Sequence, residues 1–316
     1  MEENPEEKWT YYGALVKTAK YCFLPYLVMQ ILGYLKEKRY RDCLPGKVVL
    51  ITGASSGLGE ELAHTFYKAG CKLILCARRK EELERVRTDL LATCSQETVF
   101  PPIVFPLNVA DLNGMQEKVE KILEIYGFVD ILINNAGLSV RGSVMECVDD
   151  VYIKLMMVNF FGTYKLTRCL LPSMIARKEG RIVCIGSVQG KFALPNRSAY
   201  SASKHALQAF CDSLRAEVAD DGIKVTLVSP GYIQTNLSRN ALTGTGKVYG
   251  KLDETTAKGA SAKDVAAFVL KAVLRDQKDV VTAGLAPRLA IWLRSWLPDI
   301  YFEIMRRRAT KERKSL

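Results

Sequence analysis

The chain has 316 residues, 48% of them hydrophobic and 25% charged, with a net charge of +11. That length suits one large α/β domain with appendages, or two small domains, and the composition is ordinary for a globular protein. The positive charge gathers at the ends, in Lys36, Lys38, Arg39, Arg41 and Lys47 and in Arg306, Arg307, Arg308, Lys311, Arg313 and Lys314; this speaks against a nucleic-acid binder and suits an anionic membrane surface.

Residues 1–10 are acidic and polar. Tyr21 to Leu35 is an uncharged apolar run, shorter than the ~20 residues of a spanning helix and interrupted by Pro25 and Gln30. Lys17 and Lys20 precede it and can snorkel. Three readings compete: a tilted, poorly hydrophobic span, an interfacial helix and a signal peptide. No small-residue cleavage site follows, only basic residues from Lys36 to Arg41, which favours a retained membrane anchor within residues 1–45. The alternative is an N-terminal helix packed on its own domain. Basic residues on the C-terminal side of the run point to a cytosolic catalytic domain.

At Lys47 the pattern changes. Val48 to Thr52 is apolar on both faces, as in a buried parallel strand. Gly53, Gly57 and Gly59 follow, then a helical pattern through Leu62, Ala63, Phe66 and Ala69 that Gly70 stops. A strand, a Gly-rich turn and a helix N-terminus form a diphosphate site, where free N–H groups and the helix dipole hold the anion. Lys72–Cys76, Ile103–Phe105, Val129–Ile133, Ile182–Ile185 and Ile223–Val228 read as further strands. Helices are expected over Lys80–Leu91, Leu112–Tyr126, Val151–Leu171 and from Tyr200 to Val218. Strand–helix alternation predicts right-handed βαβ units and a single doubly wound parallel sheet, an α/β domain over residues 46–283.

Gly53, Asn134, Ser187 and Pro230 all follow strand ends, where an open α/β sheet binds its ligand. The second strand ends in Ala77, Arg78 and Arg79, with no acidic residue to bind a ribose hydroxyl. A guanidinium there suits a 2′-phosphate, aided by Ser55, so NADP(H) is the expected cofactor. Tyr200 and Lys204 lie four apart on one helix face. An ammonium beside a phenol favours the phenolate, so the Tyr200 pKa is expected to fall towards working pH. Such a phenol exchanges a proton with a carbonyl or alcohol oxygen, and Ser187 can hydrogen-bond the same oxygen. Ser187 and Tyr200 are therefore the expected substrate contacts.

Nine cysteines with no C-x-x-C pair read as free thiols in a reducing compartment. His64 and His205 have no partner at ligand spacing, and no metal site is expected. Residues 284–316 are apolar and aromatic from Leu285 to Met305, with Trp292, Trp296, Tyr301 and Phe302, then basic. This fits a C-terminal amphipathic helix lying on a membrane, or equally one packed on the domain or at a dimer contact.

From about Lys47 to Ala283 the chain resembles the short-chain dehydrogenase/reductase family. The matching motifs are Thr52, Gly53, Gly57 and Gly59; Asn134, Asn135, Ala136 and Gly137; Asn159; Ser187; Tyr200 and Lys204; and Pro230 with Gly231. The resemblance implies a Rossmann fold and a catalytic tetrad. Tyr200 would be the acid/base, Ser187 the carbonyl anchor, Lys204 the ribose ligand that tunes Tyr200, and Asn159 the holder of a relay water. It also implies cofactor contacts from Ser55, Ser56, Leu58, Arg78, Arg79, Asn108, Val109, Ile233 and Thr235. Asn108 departs from the Asp that many members carry after the third strand. The expected activity is interconversion of a ketone and a secondary alcohol by a membrane-associated enzyme acting on a lipid-like substrate, a steroid, retinoid or acyl/alkyl lipid. A nucleotide-sensing or scaffold protein on the same fold is the alternative. The expected place is the endoplasmic reticulum membrane, with a peroxisomal or other organelle membrane as the alternative, and a second copy of the chain is a candidate partner.

Overall fold

The structure is a computed structural model that describes residues 24–93 and 100–314. Helix α1 covers residues 24–41. Strand β1 (Val48–Thr52) leads into α2 (Gly57–Lys68), and β2 (Lys72–Ala77) into α3 (Lys80–Thr93). Then come β3 (Ile103–Pro106), α4 (Met115–Tyr126), β4 (Ile131–Asn134) and the short β5 (Val140–Arg141). Helix α5 (Asp149–Met156) passes through a π-helical turn (Met157–Phe161) into α6 (Gly162–Arg177). Next are β6 (Gly180–Ile185), α7 (Ser198–Glu217), β7 (Ile223–Pro230), β8 (Leu242–Thr243), α8 (Glu254–Ala257), α9 (Ala262–Leu274) and β9 (Asp279–Thr282). Helices α10 (Leu285–Trp296) and α11 (Pro298–Lys314) end the described chain.

Seven strands form one parallel sheet in the order β3-β2-β1-β4-β6-β7-β9. This is the doubly wound Rossmann-like α/β arrangement the alternation predicts. Val49 pairs with Leu73 on one side and Ile131 on the other. Side chains alternate along β1: Val49 and Ile51 enter the layer of α2, α3 and α9, while Val48 and Leu50 enter the layer of α4, α6 and α7. Each such fully buried Val, Ile or Leu contributes roughly 1.5–3 kcal/mol. Chain order reverses direction between β1 and β4, so the crevice at their carboxyl ends is the switch point where ligands bind. β5 and β8 pair separately, Val140 with Leu242, and tie the segment after β7 to the segment after β4.

Several boundaries differ from the sequence reading for local reasons. β4 starts at Ile131 rather than Val129 because Asp130 is used as a hub: its carboxylate accepts from Val48 N at 2.9 Å and from Arg177 at 2.6 Å. α4 starts at Met115 rather than Leu112 because Asp111 accepts from Gly114 N and pairs with Lys118, holding a turn there. β9 was not anticipated; it has four residues, and none of them is buried. The C-terminal segment is two helices rather than one, broken at Leu297 before Pro298, which takes the first position of α11.

The expected membrane-anchor helix is not seen as a span. Among the described residues no helix is long and apolar enough to cross a membrane. The start of the apolar run, residues 21–23, lies outside the described residues. α1 carries Gln30 and a charged second half, and that half is fastened to the domain. Arg275 donates to Glu37 at 2.8 Å and to Gln30 at 3.3 Å, and the Arg181 guanidinium lies 3.8 Å over the Tyr40 ring. Leu24, Leu27, Val28, Ile31, Leu32 and Leu35 are exposed.

Candidate active site

The carboxyl ends of β1, β2, β4, β6 and β7 open on one cleft of about 550 Å³. Its floor is the turn after β1. Gly53 has φ +67, and a Cβ on Gly59 would lie 2.1 Å from the Gly53 carbonyl oxygen and 2.6 Å from Asn135 Nδ2. Only hydrogen fits there, which lets the start of α2 approach the strand ends. Asn135 locks this turn to the next strand, its Nδ2 donating to Thr52 O at 2.9 Å and Gly53 O at 3.3 Å. Thr52 Oγ1 accepts from the N–H groups of Asn135 and Ala136 at 3.0 and 3.1 Å. A glycine-lined cradle at a helix N-terminus fits a diphosphate.

Around the cradle lie Gly53, Ser55, Ser56, Gly57, Leu58 and Gly59 from the turn, and Arg78 and Arg79 from the end of β2. Asn108 and Val109, then Asn135, Ala136 and Gly137, form the next two sides, and Pro230, Gly231, Ile233 and Thr235 close the cleft from β7. Every residue that the sequence nominates for a cofactor thus lines one cleft. Arg78 and Arg79 are exposed, with Ala77 beside them and no carboxylate at that strand end. Asn108 Oδ1 accepts from Ala110 N at 3.2 Å, so it is already engaged in a local turn.

Of the four nominated catalytic residues, Ser187, Tyr200 and Lys204 line the cleft. Ser187 follows β6 with an extended backbone, and its Oγ accepts from Gln189 N at 3.1 Å. Asn159 stands behind the wall, fully buried in the π-helical turn. Its Oδ1 accepts from Leu138 N at 2.7 Å, and its Nδ2 donates to Leu138 O and to Ser203 Oγ, both at 2.9 Å. These bonds fix the loop after β4 and leave its amide oxygen one further acceptor site.

Electrostatics correct one expectation. Burial pushes the Tyr200 phenol up, outweighing its hydrogen bond to Ser187 and the nearby Arg141 and Arg197 guanidiniums, which pull it down. Lys204 stands on the same helix face, and burial outweighs any pull from its charge. Its Nζ lies 5.9 Å from the Tyr200 ring centroid and donates to Ile185 O at 2.9 Å. Burial brings the Lys204 ammonium down to about 8.

Sequence reasoning missed a cationic corner of the cleft. Arg141 on β5 donates to Asp253 through Nε at 2.9 Å and Nη2 at 2.5 Å, and Arg197 reaches the same carboxylate at 3.4 Å. Tyr232 and Gln189 also line this part. Arg197 and Tyr232 flank recognisable motifs, but nothing at Arg141 or Asp253 signals that the fold brings them together across 112 residues.

Comparison with known proteins now bears on this geometry. A model of the short chain dehydrogenase family matches residues 47–245. The chain is 62% identical over 288 residues to an Anopheles gambiae protein named dehydrogenase/reductase SDR family protein 7-like, covering 91% of each. It is 47% identical over 294 residues to the mouse dehydrogenase/reductase SDR family member 7B, covering 93% of this chain and 90% of the mouse protein. Among solved structures, a Burkholderia phymatum short chain dehydrogenase/reductase in complex with NAD superposes with a TM-score of 0.71 at 25% identity, covering 82% of this chain and 96% of that one. A metagenomic short-chain oxidoreductase in complex with NADP gives 0.62 at 26% identity, covering 77% and 98%.

Proposed function

Given that this chain belongs to the short-chain dehydrogenase/reductase family, an oxidoreductase family, we propose that it is an NADP(H)-dependent enzyme that interconverts a ketone and a secondary alcohol. The observation that carries the reading is the convergence of Ser187, Tyr200 and Lys204 on the cleft that also holds the glycine cradle. The dinucleotide, when bound, supplies or accepts the hydride. The cradle from Gly53 to Gly59 would hold its diphosphate, Lys204 and Asn135 would face its nicotinamide half, and Thr235 would contact the carboxamide. Arg78 and Arg79, with Ser55, would take a 2′-phosphate. The absence of a carboxylate beside Ala77 supports that choice, since a carboxylate there would favour a 2′-hydroxyl.

Ser187 and Tyr200 line the same cleft, close enough for Ser187 to pull the Tyr200 pKa down, so both can reach one substrate oxygen. With its pKa held up by burial, Tyr200 stays protonated at neutral pH and serves as proton donor to a carbonyl oxygen. Lys204, still charged below about pH 8, places a positive charge in the same buried space, where it stabilises the tyrosinate that proton donation leaves behind. Asn159 and Ser203 hold the walls.

The substrate reading is a lipid-like ketone or alcohol, met at a membrane of the endoplasmic reticulum or another organelle, with the catalytic domain on the cytosolic side. It is supported by exposed apolar side chains on α1 and on the C-terminal helices, and by free thiols such as Cys43 and Cys147, which fit a reducing compartment. The test is a panel of steroid, retinoid and acyl or alkyl lipid ketones, followed by loss of NADPH absorbance. Turnover of at least one ketone with NADPH is expected. No turnover across the panel, with NADPH bound, favours the nucleotide-sensing alternative.

A further inference from the structure

Helices α10 and α11 have two different faces. Inward, Ile291, Leu293, Tyr301 and Met305 pack on Val188, Phe192 and Leu194, which follow Ser187. The Tyr301 ring meets the Phe192 ring edge-on at 6.3 Å, and its hydroxyl donates to Ala193 O at 2.5 Å. Asn196, at φ +58, donates from Nδ2 to Glu312 Oε2 at 2.9 Å. The segment that joins Ser187 to Tyr200 is therefore seated on the C-terminal helices.

Outward, Leu285, Leu289, Trp292 and Trp296 recur at helical spacing along α10 and are 83%, 51%, 49% and 72% exposed. Phe302 on α11 is also exposed, with the Arg294 guanidinium 5.1 Å from its ring centroid. An exposed stripe of this size marks an interaction surface. Its charge selects the partner. Residues 285–314 hold eight Lys and Arg side chains against three acidic ones. A second copy of the chain would bring the same positive excess against itself. Indole rings beside Arg side chains suit the headgroup level of a bilayer, where rings bury their apolar body and cations meet lipid phosphates and carboxylates.

We propose that the outer face of α10 and α11 is a docking surface for an anionic lipid bilayer, so that the helices seating the Ser187–Tyr200 segment themselves rest on lipid. This rests on the membrane part of the function proposed above and gives it a second attachment, separate from the N-terminal apolar run.

The test uses the full chain carrying Trp9→Phe, which leaves Trp292 and Trp296 as the tryptophans. The protein is mixed with vesicles of phosphatidylcholine and phosphatidylserine whose acyl chains are brominated, and tryptophan emission is read. Quenching of about half the emission is expected, as for rings at the acyl boundary. It should weaken several-fold when phosphatidylserine is omitted, and again with Arg306→Gln and Arg307→Gln together. Co-sedimentation with vesicles without quenching would overturn the inference, because the chain would then be attached elsewhere. Equal quenching without phosphatidylserine would overturn the anionic selection. Self-association that Trp296→Ser abolishes, with no quenching by lipid, would make a second copy the occupant. NADPH turnover is measured on the same protein. A chain that reduces ketones but is not quenched loses this inference alone, whereas a quenched chain without turnover loses the catalytic reading alone.

Discussion

Asn159 Nδ2 donates to Ser203 Oγ at 2.9 Å, and Ser203 Oγ donates in turn to the Tyr200 carbonyl oxygen at 2.8 Å. Ser203, buried between the two charged or proton-carrying positions of α7, is thus the link between the π-helical turn and the helix that bears Tyr200. Ser203→Ala removes both bonds at a buried site, so a stability loss of about 1–3 kcal/mol is expected. kcat should fall several-fold while the Kd for NADPH stays nearly constant, because no cradle residue moves. Asn159→Ala should be worse, since Leu138 N and O then also lose their partner. Thermal melts and steady-state kinetics on the two variants check the order.

Cofactor preference is expected to follow the end of β2. Wild type should bind NADPH more tightly than NADH. Ala77→Asp combined with Arg78→Ala should reverse the order, because the new carboxylate repels a 2′-phosphate and accepts from a 2′-hydroxyl. Fluorescence titration with both dinucleotides gives the answer; equal affinities in wild type would remove Arg78 from the site.

The pH dependence comes from Lys204, whose pKa is lowered by burial to about 8 while that of Tyr200 is raised. For reduction, kcat/KM should be flat at neutral pH and fall above about pH 8 as the ammonium is lost. The sign for stability is opposite. Between about pH 8 and the ordinary lysine value the unfolded chain holds a proton that the folded chain has shed, so this group's contribution to stability increases with pH across that window. Chemical denaturation on the two sides of pH 8 measures it.

Tyr301 should influence catalysis from outside the cleft. Tyr301→Phe keeps the ring against Phe192 and removes only the bond to Ala193 O. The expected outcome is a melting temperature lowered by a few degrees, as a loss of about 1 kcal/mol implies, with kcat reduced several-fold and KM little changed. An unaltered kcat would mean that the 192–197 segment keeps its place without α11.

Much of this architecture was legible in the residues. The apolar runs at Val48, Lys72 and Ile182 are strands because both their faces are buried, and runs of that kind leave no ambiguity with polar loops. The glycines at 53, 57 and 59 and the Tyr200–Lys204 spacing gave the cleft its two ends. What was not legible depends on contacts far apart in sequence. Asp130 shortens β4 because Val48 and Arg177 need its carboxylate. Arg141 enters the cleft only because β8 pairs with β5 and brings Asp253 within reach. The direction of the Tyr200 shift also failed from sequence, since spacing shows a nearby ammonium but not the depth of burial that outweighs it.

The central claim is that Tyr200 gives the proton in an NADPH-dependent ketone reduction. Single-turnover reduction of a ketone from the panel, by wild type and by Tyr200→Phe with NADPH saturating, tests it most directly. The rate should fall by at least about 10²-fold in the variant while the NADPH affinity stays unchanged, because only the transferable proton is removed. A variant that reduces the ketone at a near-normal rate would contradict the assignment.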